Sequence, residues 1–359
     1  MTYHKLLNNN LQTGQGCIFY PALPCSDKQI KKKNKKKTLS KIILNKNLLK
    51  YEYSMNLLIQ QIPNYSDWTN IWFNKCKSPQ YKYIRHNSDI DKCLSLNHIN
   101  LNQIPSNYSF NMLQGTYGGI SSNEFMINNF NHNVYNNNKL FIQQFIYLFH
   151  TLEPLFLGLK QLYKYKICHH DLAIHNILFQ NDKFIIIDYG LSFQFKNINM
   201  AIRRINEEIH TNRLYESYPF EYLYYNINPR MAKRELQNYS SRKIYKYIYE
   251  FIHQKLFYRN IPLLIENLLK SYIHYHNPSN LSLLIQSLDI YSLGMIPFIL
   301  LIDHSDTLKI SPSKLLSLLK LPELKSYLQL FQNMTTFYSS DRINPNDAYK
   351  LYMNLKYNK

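Results

Sequence analysis

His169-His170-Asp171-Leu172-Ala173-Ile174-His175-Asn176 sets a carboxylate and an amide on one short segment, and Asp188-Tyr189-Gly190 follows it closely. Between them, Ile177-Leu178-Phe179 and Phe184 to Ile187 are apolar arms around a polar turn, Gln180-Asn181-Asp182-Lys183. That pattern predicts a β-hairpin. A hairpin here would bring Asn176 and Asp188 to neighbouring strand ends, facing one cleft. The three side chains suit phosphoryl transfer from Mg·ATP. Asp171 is placed to take the proton of an attacking hydroxyl, while Asn176 and Asp188 offer hard oxygen ligands to Mg²⁺.

The elements that must position these residues divide into two halves. Short strand-like stretches run at Cys17 to Tyr20, Leu39 to Leu44 and Tyr108 to Leu113, with one amphipathic helix at Leu48 to Ile62. Pro63 stops that helix, since proline cannot continue the ladder. Beyond Gly119 the pattern is mainly helical. Lys139 to Lys164 reads as a buried helix, with Leu140, Phe141, Phe145, Leu148, Phe149, Leu152, Leu155, Phe156, Leu159 and Leu162 at helical spacing. The expectation is an α+β chain: a small β-rich lobe over residues 1–112, a hinge at 113–117 and a larger helical lobe over 118–359.

The segment resembles the H-R-D-L-x-x-x-x-N catalytic loop and D-F-G motif of eukaryotic-type protein kinases. Further matches follow in order. Ser287-Leu288-Asp289-Ile290-Tyr291-Ser292-Leu293-Gly294 is similar to the D-x-x-S-x-G helix, whose Asp braces the catalytic loop. Pro219-Phe220-Glu221 resembles the end of an activation segment, whose Glu pairs with a late Arg, here Arg342. The resemblance spans nearly the whole chain. It implies a bilobal kinase fold, ATP and Mg²⁺ as cofactors, and a protein hydroxyl as acceptor, with serine or threonine favoured. The layout is similar to the serine/threonine kinases of large DNA viruses, which implies host cytoplasm or virion.

On that template, Thr13-Gly14-Gln15-Gly16-Cys17-Ile18 is the phosphate-covering turn, short of a full G-x-G-x-x-G, with Ile18 against adenine. In a chain with only eight glycines, each survivor marks a place where a side chain is costly. Thr38 to Ile43 reads as a strand, and Lys41 stands where V-A-I-K puts its lysine; Lys36, Lys37 and Lys46 are alternatives. Glu52 is the acidic residue on the predicted helix, between Lys41 and Asp67. A buried lysine needs a carboxylate, so Glu52 is its expected partner.

Several positions depart from the family pattern. His170 replaces the usual Arg, which grips a phosphate on the activation segment, and so suggests activity without loop phosphorylation. Ala173 and His175 leave Ser/Thr against Tyr open. The long interval after Glu221 reads as a helical insertion at about 225–285, packed on the large lobe or docking a partner. A pseudokinase, a small-molecule kinase and a nucleic-acid-binding protein are the competing readings. The pseudokinase comes second.

Composition sets the outer limits. At 45% hydrophobic and 15% aromatic the chain is not of a disordered class. The net charge of +19 invites an acidic substrate, nucleic acid or an anionic surface as partner. But Lys, Asn, Ile and Tyr rise together, and much of the charge sits in Lys31 to Lys37, which reads as a solvated loop. An acidic protein substrate is kept open, and nucleic acid is not favoured. The longest apolar run, Met295 to Ile302, is too short for a membrane span. The N-terminus is polar, unlike a signal peptide, and a cytoplasmic setting is expected. The scattered cysteines Cys17, Cys25, Cys76, Cys93 and Cys168 include no Cys-x-x-Cys pair, so plain thiols in a reducing compartment are expected.

Overall fold

The computed structural model describes residues 16–26, 38–85, 88–96, 99–210, 216–219, 221–222, 278–336 and 338–357. Gly14, the Lys31 to Lys37 run and most of the expected insertion lie outside them. The chain is mixed α and β, with antiparallel sheets early and helices later. It divides into two compact units, Met1–Tyr65 with Asn70–Gly118 and Asp188–Gly190, and Ser66–Thr69 with Gly119–Ile187 and Leu191–Lys359.

The first unit is built on a four-stranded antiparallel sheet of β1 (Cys17–Phe19), β2 (Thr38–Ile42), β3 (Trp72–Lys77) and β4 (Asn111–Thr116), in the order β1-β2-β4-β3. Ile18 stands opposite Lys41, and Lys41 opposite Leu113. β3 alternates half-buried and exposed residues, as a half-covered strand should. Helix α1 (Lys46–Gln60) starts at Asn45, whose side chain accepts from the Asn47 and Leu48 amides, and ends before Pro63. Leu49, Glu52, Met55, Asn56 and Ile59 form its buried face, which puts Glu52 inside. Two short helices follow β3, α2 (Tyr81–Ile84) and α3 (Ser88–Leu96). The expected hinge at 113–117 is for the most part strand: Leu113 to Thr116 belong to β4, and the units divide at Gly118.

Two disulfides cross this unit, Cys17–Cys93 and Cys25–Cys76, with Cα atoms 5.9 and 5.8 Å apart. This corrects the expectation of plain thiols. The partners are 76 and 51 residues apart, so no local spacing motif announces them. Only Cys168 is a free thiol among the described residues. Disulfides persist in oxidising surroundings, so the thiol argument for a reducing compartment falls.

The second unit holds a three-stranded sheet, β5 (Ile120–Ser121), β7 (Ile177–Gln180) and β8 (Lys183–Ile186), and a two-stranded pair, β6 (Ile167–Cys168) with β9 (Phe193–Gln194). β7 and β8 form the expected hairpin. Asn181 and Asp182 turn it with φ of 50° and 59°, a twist that suits a two-residue turn. Gly119, at φ +95°, lies so near Phe179 that a Cβ would run into its carbonyl.

Helices α4 (Ser122–Asn129), α5 (His132–Asn136), α6 (Asn138–Thr151), α7 (Glu153–Lys164), α8 (Ile198–His210), α9 (Pro278–Thr307), α10 (Pro312–Leu319), α11 (Lys325–Met334) and α12 (Pro345–Tyr357) make up the rest. The single helix expected over Lys139 to Lys164 is two, α6 and α7, meeting at Leu152 with Pro154 in the first turn of the second. Residues 278–285, assigned above to the insertion, begin α9, the long helix that carries Asp289. The stretches Asn138–Lys164 and Leu281–Thr307 are long and apolar enough to cross a membrane by length and composition alone, but 89% of the second one's most apolar window is buried inside the protein. Phe149, Phe156 and Tyr352 stack in the packing of α6, α7 and α12, with centroids 4.6 and 4.3 Å from the Tyr352 ring.

Closing loops of this size constrains the unfolded chain by about 2–4 kcal/mol per disulfide. Adding a thiol reductant should therefore lower the thermal midpoint. The Cys17→Ser/Cys93→Ser variant should start lower and respond less. A midpoint indifferent to reductant, with five thiols titratable in the unfolded protein before reduction, would show the bridges to be absent.

Candidate functional site

In the first unit Lys41 reaches inward from β2. Its Nζ lies 2.9 and 3.1 Å from the two carboxylate oxygens of Glu52 on α1, and 3.3 Å from Asp188 Oδ2. The Lys41 and Glu52 side chains are 5% and 3% exposed, while that of Asp188 is 35% exposed. Asn56 fixes the helix in place: its Nδ2 donates to the Glu52 carbonyl, and its Oδ1 accepts from the Trp72 amide. Burial opposes charge on Lys41, but Asp188 and Glu52 outweigh it and hold the ammonium well above the usual lysine range. Burial pushes the Glu52 carboxyl up, against the pull of Lys41. The pair is a buried cation held between two acids.

Asp188 sits at φ 64°, a left-handed conformation that costs a non-glycine residue energy, and its Oδ1 accepts from the Gly190 amide. Gly16 precedes β1, and a Cβ there would strike the Ile42 carbonyl. The backbone therefore passes too close to β2 for any other residue. Ile18 is half-buried on β1, across from Lys41.

In the second unit the segment after β6 is braced by one carboxylate. Asp289 Oδ2 accepts from the His169 amide at 2.6 Å and Oδ1 from the His170 amide at 2.9 Å. His170 is in turn left-handed, at φ 72°. His169 Nε2 lies 3.1 Å from the Ile187 carbonyl, and Ser192 donates to the His169 carbonyl at 3.0 Å. Asn176 Nδ2 donates to Asp171 twice, to its carbonyl at 2.7 Å and to Oδ2 at 2.8 Å. With its nitrogen spent there, the Asn176 carbonyl oxygen is the atom it can offer a cation. His175 Nε2 lies 4.0 Å from Asp171 Oδ2.

The segment expected to close the activation region is anchored from two sides. Glu221 forms a fully buried ion pair with Arg342 and accepts from the Ser339 amide at 2.6 Å. Arg342 also donates to the Thr336 carbonyl at 2.8 Å and lies over the Tyr291 ring. Ser292 on α9 donates to the Ser217 carbonyl at 2.9 Å. Tyr218 donates to Asp171 Oδ1 at 3.3 Å, and Tyr222 hydrogen-bonds His170 Nε2. Sequence reasoning missed both tyrosines. Their positions flanking Pro219-Phe220-Glu221 were the available signal, diluted in a chain with 32 tyrosines.

Among the described residues no three His, Cys, Asp or Glu side chains cluster to hold a metal. The donor set expected for Mg²⁺ is an amide oxygen and a carboxylate, Asn176 and Asp188. Each offers a hard oxygen, and the two fall in different units, Asn176 in the second and Asp188 in the first. No protein-family model matches the chain, and no curated protein matches it.

Burial, then Arg204 and His169, push the His170 imidazole down to about 3, so it is neutral in the folded protein. An unfolded histidine takes up its proton near 6.5, so between these values the unfolded chain binds more protons, and this term favours folding increasingly as pH rises. Asp289, pushed up to about 6 by burial, has the opposite sign between its unfolded value of 3.8 and 6. Comparing wild type with His170→Gln isolates the histidine. The stability difference, from urea unfolding at pH 4 to 8, should move toward wild type by up to about 1.4 kcal/mol per pH unit until pH ~6.5, then level off. A flat difference would mean that His170 titrates in the folded protein as it does in the unfolded chain.

Proposed function

We propose that the chain is a protein kinase of the eukaryotic type, transferring the γ-phosphoryl group of ATP to a serine or threonine hydroxyl of another protein. The observation that carries this reading is the convergence of Lys41, Glu52 and Asp188. A lysine from a strand, a glutamate from the following helix and an aspartate 147 positions after the lysine meet around one buried ammonium. That is the set a phosphate-binding lysine requires. The brace of Asp289 on the His169 and His170 amides, and the Glu221–Arg342 pair, add support in the order that the motifs demand.

Each residue then has a role. Lys41 presents a fixed positive charge to the phosphates, kept in place by Glu52. Asp171 accepts the proton of the acceptor hydroxyl, with its carboxylate oriented by Asn176. Asn176 and Asp188 are the residues that would hold Mg²⁺, which when bound neutralises charge on the transferring phosphates. Gly16 lets the backbone of β1 run close beside the strand of Lys41. Asp289 holds the loop that carries Asp171, and His170, neutral and hydrogen-bonded to Tyr222, asks for no loop phosphate. A net charge of +19 favours an acidic protein substrate.

The test is γ-phosphate transfer from Mg·ATP to an acidic and a basic acceptor protein. Wild type should transfer to serine or threonine, with the acidic acceptor preferred. Asp171→Asn should lose about 10²- to 10⁴-fold in kcat with ATP binding retained, and Asp188→Asn should be inactive. ATP-dependent thermal stabilisation without transfer would point instead to a nucleotide-binding pseudokinase. Neither transfer nor stabilisation would sink the nucleotide reading altogether.

A further inference from the structure

Asp171 receives a donor on each carboxylate oxygen, from Asn176 on Oδ2 and from Tyr218 on Oδ1. The first comes from its own loop. The second arrives from 47 residues away, and the surrounding structure is arranged to deliver it. The Ser217 carbonyl is tied to Ser292 on α9, and Glu221 is locked to Arg342. The Tyr222 amide closes a turn on the Pro219 carbonyl at 3.0 Å. Tyr218 is 1% exposed, and its ring stacks on Tyr222 with centroids 4.7 Å apart and planes 20° apart. The same Tyr222 is hydrogen-bonded to His170, the residue before Asp171. Packing alone would be served by phenylalanine at 218. A phenol whose hydroxyl meets the carboxylate does more, because a carboxylate with one donor can still swing about its Cβ–Cγ bond, and one with a donor on each oxygen cannot.

We infer that Tyr218 is a positioning residue for phosphoryl transfer: its hydroxyl, with the Asn176 amide, fixes the plane of the Asp171 carboxylate that receives the acceptor proton. This rests on the kinase reading above. The arrangement makes the segment that carries Tyr218, rather than the catalytic loop alone, responsible for aiming the base. A misplacement of the order of an ångström at such a group costs about a hundredfold in rate.

The experiment is a double-mutant cycle on phosphoryl transfer with Tyr218→Phe and Asp171→Asn, with Tyr222→Phe as comparison. Tyr218→Phe keeps the ring and should keep the thermal midpoint and the KM for ATP, while kcat falls about ten- to a hundredfold, the worth of a hydrogen bond to a charged group. In the Asp171→Asn background the same change should cost nothing further, because there is no carboxylate left to aim. Tyr222→Phe, which removes a hydroxyl from the same stack but not one on Asp171, should cost the same factor in both backgrounds. Equal loss from Tyr218→Phe in both backgrounds would reduce Tyr218 to packing. An unchanged kcat would remove any role for the hydroxyl. A raised kcat would mean that the phenol occupies the acceptor's place and inhibits. Each of these, with an active wild type, overturns this inference alone. A wild type that binds ATP and transfers nothing overturns the kinase reading, and this inference with it.

Discussion

One buried carboxylate carries more of this architecture than its single side chain suggests. Asp289 stands on a thirty-residue helix and accepts the backbone amides of two successive residues, His169 and His170. In an extended strand successive amides point to opposite sides, and His170 departs from that conformation with a positive φ. The strained conformation is therefore held by the acid and in turn sets the direction in which Asp171 leaves. Without the brace the strain at His170 would lose its compensation, and the Asn176, Ser192 and Tyr218 contacts would lose their common frame.

The other buried charges work in the same sense. Lys41 with Glu52 and Arg342 with Glu221 are nearly or wholly removed from water. Pairs of this kind return little net stability, because desolvation cancels most of the attraction, while breaking one leaves a charge stranded. Their use here is to fix register. Lys41 Nζ can meet two acids at once only if β2, α1 and the Asp188 turn are in one relation, and Arg342 can meet both Glu221 and the Thr336 carbonyl only if its loop is seated.

What the sequence disclosed was whatever depends on near neighbours. The β7–β8 hairpin was legible because its turn residues and apolar arms are contiguous. α1 was legible because Pro63 ends it, and Glu52 because it is the acidic residue on that helix. Features set by distant partners were not legible. The break at Leu152 was hidden by an apolar pattern that runs unbroken through both helices. β3 was missed because its alternation includes Asn74, Lys75 and Lys77, polar residues on a strand only half covered. The disulfides pair cysteines that share no spacing motif, and the contact of Tyr218 with Asp171 depends on a segment anchored by α9 and Arg342.

The two bridges of the first unit also have a topological consequence. Cys17 and Cys25 lie before the Lys31 to Lys37 run, and their partners Cys76 and Cys93 lie well after it. A protease with a taste for lysine could sever the backbone anywhere between Cys25 and Cys76, and two covalent links would still join the pieces. β1, with Gly16 before it, would stay tethered to the remainder even though the peptide chain connecting it to Lys41 had been cut. The nicked molecule would run as one species until its thiols were restored, then separate into two.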